Sequence, residues 1–123
     1  MERIDLCVNH EDMNLLIGKE NNLNNKLVEQ IHSLTPIQRV DLEEIVDSQL
    51  TSEGYIFVNL LDVSISSAEV LRIVRKKFPN DCIVAMHCFQ VDHMINKLME
   101  EGYHAYVSIL DFTDSIHDVF GEV

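Results

Sequence analysis

Two short runs constrain this chain more than any other feature. Residues 55–61 (YIFVNLL) and 82–88 (CIVAMHC) are almost wholly apolar, and a segment of helical period separates them. A strand that alternates apolar and polar residues can leave one face in water, whereas a strand without alternation must be covered on both faces. The same alternation of strand and helix patterns extends in both directions. Residues 3–9 (RIDLCVN) read as a strand. A helical pattern then runs through Leu16, Leu23, Leu27, Ile31 and Leu34 until Pro36 stops it, and residues 37–40 form a short strand. Asp41 with Glu44 three residues later marks a helix start, with Leu42, Ile45, Val46 and Leu50 as the buried stripe. Ser66 with Glu69 repeats that signature ahead of Val70, Leu71, Val74 and Phe78. Val91, Ile95 and Leu98 carry a further helix that Gly102 terminates. Residues 105–110 read as a fifth strand, and Phe112, Ile116 and Phe120 as a last helix. Five strands alternating with five helices predict an α/β domain: a five-stranded parallel sheet with helices on both faces. One stretch has a second reading, in which residues 13–17 form the second strand of a hairpin.

Composition narrows the function. The 123 residues fit a single domain over 1–123, and 46% are hydrophobic, enough for a full core. Nine Lys+Arg against 21 Asp+Glu give a net charge of −12, which repels phosphate backbones and anionic lipid. No nucleic acid is expected to bind this domain alone, and no membrane. Three cysteines (Cys7, Cys82, Cys88) are too few and too odd in number for a secreted disulfide framework, so the cytoplasm is the expected compartment.

In an open parallel sheet, chemistry gathers at the carboxyl ends of the strands. On this reading those ends carry Asn9-His10-Glu11-Asp12, Asn59, His87-Cys88 and Ser108-Ile109. The segment 55–72 (YIFVNLLDVSISSAEVLR), the passage Phe78-Pro79-Asn80 through Val84, and Glu101-Gly102-Tyr103-His104-Ala105-Tyr106 together resemble the response-regulator receiver domain, a (βα)5, flavodoxin-like fold. The resemblance covers essentially the whole chain. It implies an aspartate nucleophile ending the third strand, a magnesium-binding acid pair after the first, a Ser/Thr on the fourth and a Lys on the fifth. A metal and a cation must neutralise the transferring phosphoryl group, and a carboxylate must attack it. Here the acceptor position is Asn59, the acid pair Asn9 and His10 with Glu11 beyond, the hydroxyl position His87 and the lysine position Ile109. Val63 replaces the loop proline, and the interval from Asn9 to Asn59 is longer than is usual in the family.

With every catalytic position changed, the expectation is a degenerate receiver: no enzyme, no cofactor, and regulation by protein–protein contact without phosphate. Such a module stands alone or forms the N-terminal domain of a larger regulator. The resemblance implies that Tyr106 is the switch aromatic. It places partner contact, or a homodimer, on the fourth helix, fifth strand and fifth helix, here Met94, Lys97, Met99 and Tyr106.

Two alternatives stay open. Asn59-Leu60-Leu61-Asp62-Val63 followed by Ser66-Ser67 is similar to the STAS signature of anti-sigma-factor antagonists, in which a kinase phosphorylates a serine at a helix start. His10, His87 and Cys88 bring imidazole and thiolate to neighbouring strand ends, a donor set suited to zinc. His32, His93, His104 and His117 read as solvated. The basic group Arg72, Arg75, Lys76 and Lys77 reads as charge at a helix carboxyl end.

Overall fold

The computed structural model describes residues 14–47, 54–88 and 91–119. Within them the chain alternates strictly: β1 (Asn14–Ile17), α1 (Asn22–His32), β2 (Ile37–Val40), α2 (Leu42–Asp47), β3 (Tyr55–Asn59), α3 (Ser67–Lys77), β4 (Cys82–His87), α4 (Asp92–Glu101), β5 (Ala105–Ser108) and α5 (Phe112–Val119). The strands form one sheet in the order β2-β1-β3-β4-β5, and every pair is parallel. The α/β architecture expected from the two apolar runs is therefore present, since parallel strands need helical crossovers and those cover both faces.

The two faces are legible residue by residue. Leu15, Ile17, Ile56, Val58, Ile83 and Ala85 point to one side, where Ile45 of α2, Val70, Leu71 and Val74 of α3, and Leu98 of α4 pack on them. Leu16, Phe57, Val84, Met86 and Val107 point to the other, against Leu27 and Ile31 of α1 and Phe112 and Ile116 of α5. Period-two alternation thus divides side chains between two cores rather than between core and water.

The first strand of this sheet is a correction. Leu16 belongs to β1, not to the helix that follows, and β1 pairs with both β2 and β3 at the centre of the sheet. Three apolar residues in succession, Leu15 to Ile17, cannot show a helical stripe, and Asn21 rather than an earlier residue caps α1, its side chain accepting from Asn24 N at 2.8 Å. Leu23 and Leu34 are exposed, because the buried side of α1 is Asn24, Leu27 and Ile31. Residues 3–9 and 50 lie outside the described residues. Val91 is exposed at the N-cap of α4 rather than inward, and Leu98 is the buried residue of that helix.

The other start and stop signals act as expected. Glu44 Oε1 accepts from Asp41 N at 2.8 Å, and Ser66 Oγ accepts from Glu69 N at 3.2 Å. Gly102 ends α4 at φ 123°, a conformation that disfavours any side chain, and its N–H bonds back to Leu98 and Met99 carbonyls.

Candidate functional site

Chain connection runs outward from β1 to β2 on one side and resumes at β3 on the other, so the switch point lies between the carboxyl ends of β1 and β3. A cavity of about 100 Å³ opens there, bordered by Gly18 and Lys19 after β1, Asp41 and Glu43 after β2, and Asp62 and Ser64 after β3. Asn59, the last residue of β3, is fully buried. Its side chain faces α1, where the fully buried Asn24 meets it from the first turn.

These two amides form a closed circuit. Asn59 Nδ2 donates to Asn24 Oδ1 at 2.7 Å, and Asn59 Oδ1 accepts from Leu61 N at 3.0 Å, which folds the loop tightly after the strand. Asn24 Nδ2 donates to the Lys19 carbonyl at 2.6 Å and to Asp62 Oδ2, and Lys19 N donates to the same Asp62 oxygen at 3.2 Å. Both donors of the Asn24 amide are engaged. Gly18 makes room for this circuit: a Cβ there would lie 2.6 Å from Asn24 Nδ2 and 2.9 Å from Asp62 Oδ2. Arg39 secures the rim from β2, donating to the Gly18 carbonyl at 2.8 Å and to Asp41 at 3.0 Å.

Of the residues singled out from the sequence, the fold brings Asn59 to the switch point. Asn9, His10 and Glu11 lie outside the described residues. The residues directly after β1 are Gly18 and Lys19, followed by the exposed Glu20. His87 ends β4, and its Nδ1 accepts from Cys88 N at 2.7 Å while its carbonyl accepts from the Tyr106 hydroxyl at 2.9 Å and from Ile109 N at 2.9 Å. Burial lowers the His87 pKa from its usual 6.5. Ile109 is half-buried against the α1–α5 core. Ser108, beside it, buries a hydroxyl that has no hydrogen-bond partner among the described residues.

Met94 and Met99 of α4 are half-buried, Met99 packing on the core, and Lys97 is exposed. Tyr106 is half-buried with its hydroxyl tied to β4. No group of three or more His, Cys, Asp or Glu among the described residues is arranged to hold a metal ion. Cys82 sits at the opposite, amino end of β4, where burial and then the Asp81 carboxylate raise its thiol pKa. Ser66 caps α3, and Ser67 Oγ donates to Glu101 Oε1 at 2.7 Å, so the backbone and a neighbouring helix engage both hydroxyls of the serine pair. His32, His93 and His104 are exposed, and His104 Nδ1 also accepts from Ile83 N at 2.9 Å.

Sequence reasoning missed Asn24. The signal available was the cluster Asn21-Asn22-Leu23-Asn24-Asn25, too short for a linker and too rich in poor helix formers for a helix interior. It is a helix start whose fourth residue reaches inward to the strand ends.

No family model and no curated protein matches the chain. Solved structures do. The chain is similar to the response regulator DrrB of Thermotoga maritima, an OmpR/PhoB homologue, with a TM-score of 0.69 and 13% identity over 90% of this chain and 53% of that one. It is similar to a pilus assembly-related protein of Burkholderia pseudomallei K96243 (TM-score 0.71, 6% identity, 92% and 89% covered). A third likeness is to a Burkholderia pseudomallei response regulator that holds a phosphorylated aspartic acid, a calcium ion and citrate (0.66, 12%, 86% and 64%). The chain thus spans about half the length of DrrB. At these identities the likeness is one of fold: a receiver-type, flavodoxin-like α/β sheet.

Proposed function

We propose that this chain is a signalling or regulatory module of receiver type that works without phosphorylation, through contact with other proteins. One observation carries the reading: at the position where a receiver presents its nucleophilic aspartate stands Asn59, buried and hydrogen-bonded on both sides of its amide. A carboxamide has no anionic oxygen to attack phosphorus, and its nitrogen lone pair is delocalised into the carbonyl. The surroundings agree. Phosphoryl transfer needs clustered charge of both signs to hold a metal and the transferring group. Of the charged residues round the cavity, Asp41 is paired with Arg39 and Asp62 is bonded to Asn24 and Lys19 N, while β5 ends in Ser108 with the apolar Ile109 after it.

The module then acts by presenting one conformation or by having its population shifted by a partner. Tyr106 on β5 is tied by its hydroxyl to His87 O at the end of β4, and Met94, Lys97 and Met99 on α4 supply the contact surface. We place the protein in the cytoplasm and leave DNA contact to a separate output domain, given the net charge of −12. Among the described residues no helix is long and apolar enough to cross a membrane.

Intact mass and thermal melting with Mg²⁺, with and without acetyl phosphate or beryllofluoride, test the reading. No adduct and no melting shift are expected. A phosphoryl adduct, or a Mg²⁺-dependent rise in melting temperature with beryllofluoride, would overturn it.

A further inference from the structure

Six large hydrophobic residues are exposed among the described residues, and five of them gather at one end of the molecule. Leu23 lies in the first turn of α1, Leu61 and Ile65 in the β3–α3 loop, Val91 at the N-cap of α4 and Leu110 in the β5–α5 loop. Their exposure runs from 39% for Leu23 to 60% for Leu110. All five follow the carboxyl ends of β1, β3, β4 and β5, which are neighbours in the sheet. At roughly 4.8 Å between strands, that set spans about 14 Å, wide enough for one helix of about 10 Å diameter to lie across it. The sixth, Leu34, follows α1 at the opposite end.

Charge at the same end is one-sided. Glu20, Glu43, Glu44, Asp92, Asp111 and Asp114 are exposed in the loops and first helical turns there. Lys19 is the one Lys or Arg in those segments among the described residues, beside the exposed His93, and Arg39 within β2 is occupied by Gly18 O and Asp41. Arg75, Lys76 and Lys77 sit in the last turn of α3, at the other end. Exposed apolar residues and acids sharing the loops at the ends of neighbouring strands exclude anionic partners and complement a helix with leucine-like residues on one face and lysine or arginine on its flanks.

We propose that the carboxyl-end face is a docking surface for a basic amphipathic helix of a partner protein. This rests on the reading of the chain as a protein-contact module, but it uses a different surface from α4 and β5. The circuit of Asn24, Asn59 and Asp62 gives that surface a fixed floor, because it anchors α1 to the loop that carries Leu61 and Ile65.

The probe is a labelled Leu/Lys peptide of about 14 residues, some 21 Å as a helix, with leucines confined to one face. Its binding to the full chain is followed by fluorescence anisotropy without Mg²⁺ or phosphodonor. Two control peptides accompany it: the same composition with leucines scattered round the helix, and a Leu/Glu version. We expect saturable binding of the first peptide only. The Leu61→Gln/Leu110→Gln variant should weaken it by about tenfold or more, as loss of central apolar anchors does, while Leu34→Gln binds like the parent. Equal binding of the scattered peptide, or equal weakening by Leu34→Gln, would overturn the proposal. So would a concentration-dependent dimer that the double variant abolishes and the peptide does not displace, because the occupant would then be a second copy. Because no phosphate chemistry enters this assay, a phosphoryl adduct would overturn the functional reading and leave the docking face standing, and failure of the peptide would do the reverse.

Discussion

At the scale of single residues, the Asn24–Asn59 pair is the position most sensitive to change. Replacing Asn59 with Asp converts a donor into an acceptor facing Asn24 Oδ1. Rotating the Asn24 amide to follow it would turn its oxygen toward Lys19 O and Asp62 Oδ2, both acceptors. Either arrangement leaves buried acceptors opposed. Asn59→Asp is therefore expected to lower stability by about 3 kcal/mol, the range for an unmatched buried charged group, and to bring no phosphorylation by acetyl phosphate. Denaturant unfolding with intact mass reads both, and an unchanged midpoint would refute the argument. Gly18→Ala probes the same circuit by size alone, since its Cβ would sit 2.6 Å from Asn24 Nδ2. A cost of about 1–3 kcal/mol is expected. Ser108→Ala makes the opposite test: it removes a buried hydroxyl that has no partner among the described residues. It should leave the unfolding midpoint unchanged or raise it, because no hydrogen bond is lost.

At the scale of elements, the joint between α3 and α4 rests on a few polar contacts. The Tyr103 hydroxyl donates to Ser67 O at 2.8 Å, Ser67 Oγ donates to Glu101 at 2.7 Å, and Arg75 donates to Gly102 O at 2.8 Å. Burial, with the Glu101 carboxylate adding to it, pushes the Tyr103 hydroxyl well above the usual phenol range. A pKa raised on folding contributes stability that is present below the unfolded value, near 10, and is lost as pH rises beyond it. Tyr103→Phe should cost about 1 kcal/mol at neutral pH and flatten the alkaline limb of a melting profile. A parallel profile would show that the hydroxyl carries no such linkage. The elements also show what the sequence disclosed. Strands β3 and β4 and the capped starts of α2 and α3 were legible, because uninterrupted apolar runs and Asp/Ser–Glu pairs have one physical use. Strand β1 was not. Leu15, Leu16 and Ile17 fit either period, and only pairing with β2 and β3 decides between them. With β1 at Asn14–Ile17, the residues directly after that strand are Gly18 and Lys19. Asn59 was legible as the amide that interrupts an apolar run. Asn24 was not, because its partners are 35 and 38 residues away.

At the scale of the whole molecule, two effects of pH oppose each other. The chain carries a net charge of −12 and six histidines. Acidification reduces the net negative charge and weakens self-repulsion, which favours the folded state. His87 acts in the other direction. Its Nδ1 accepts from Cys88 N at 2.7 Å, a bond that requires the neutral ring, and burial lowers its pKa from 6.5. A histidine whose folded pKa is depressed contributes stability that is present above the unfolded value and is lost as pH falls below it, because the unfolded chain takes up the proton first. The two effects separate by difference. His87→Asn keeps an acceptor near the position of Nδ1 but cannot titrate, so it retains the general relief of negative charge and loses the opposing effect. Between about pH 7.5 and about pH 5.5, the parent's melting temperature should fall relative to that of His87→Asn, with the change centred below 6.5. Profiles that stay parallel across the range would mean that His87 titrates alike in both states, and that its bond to Cys88 N does not hold the ring neutral.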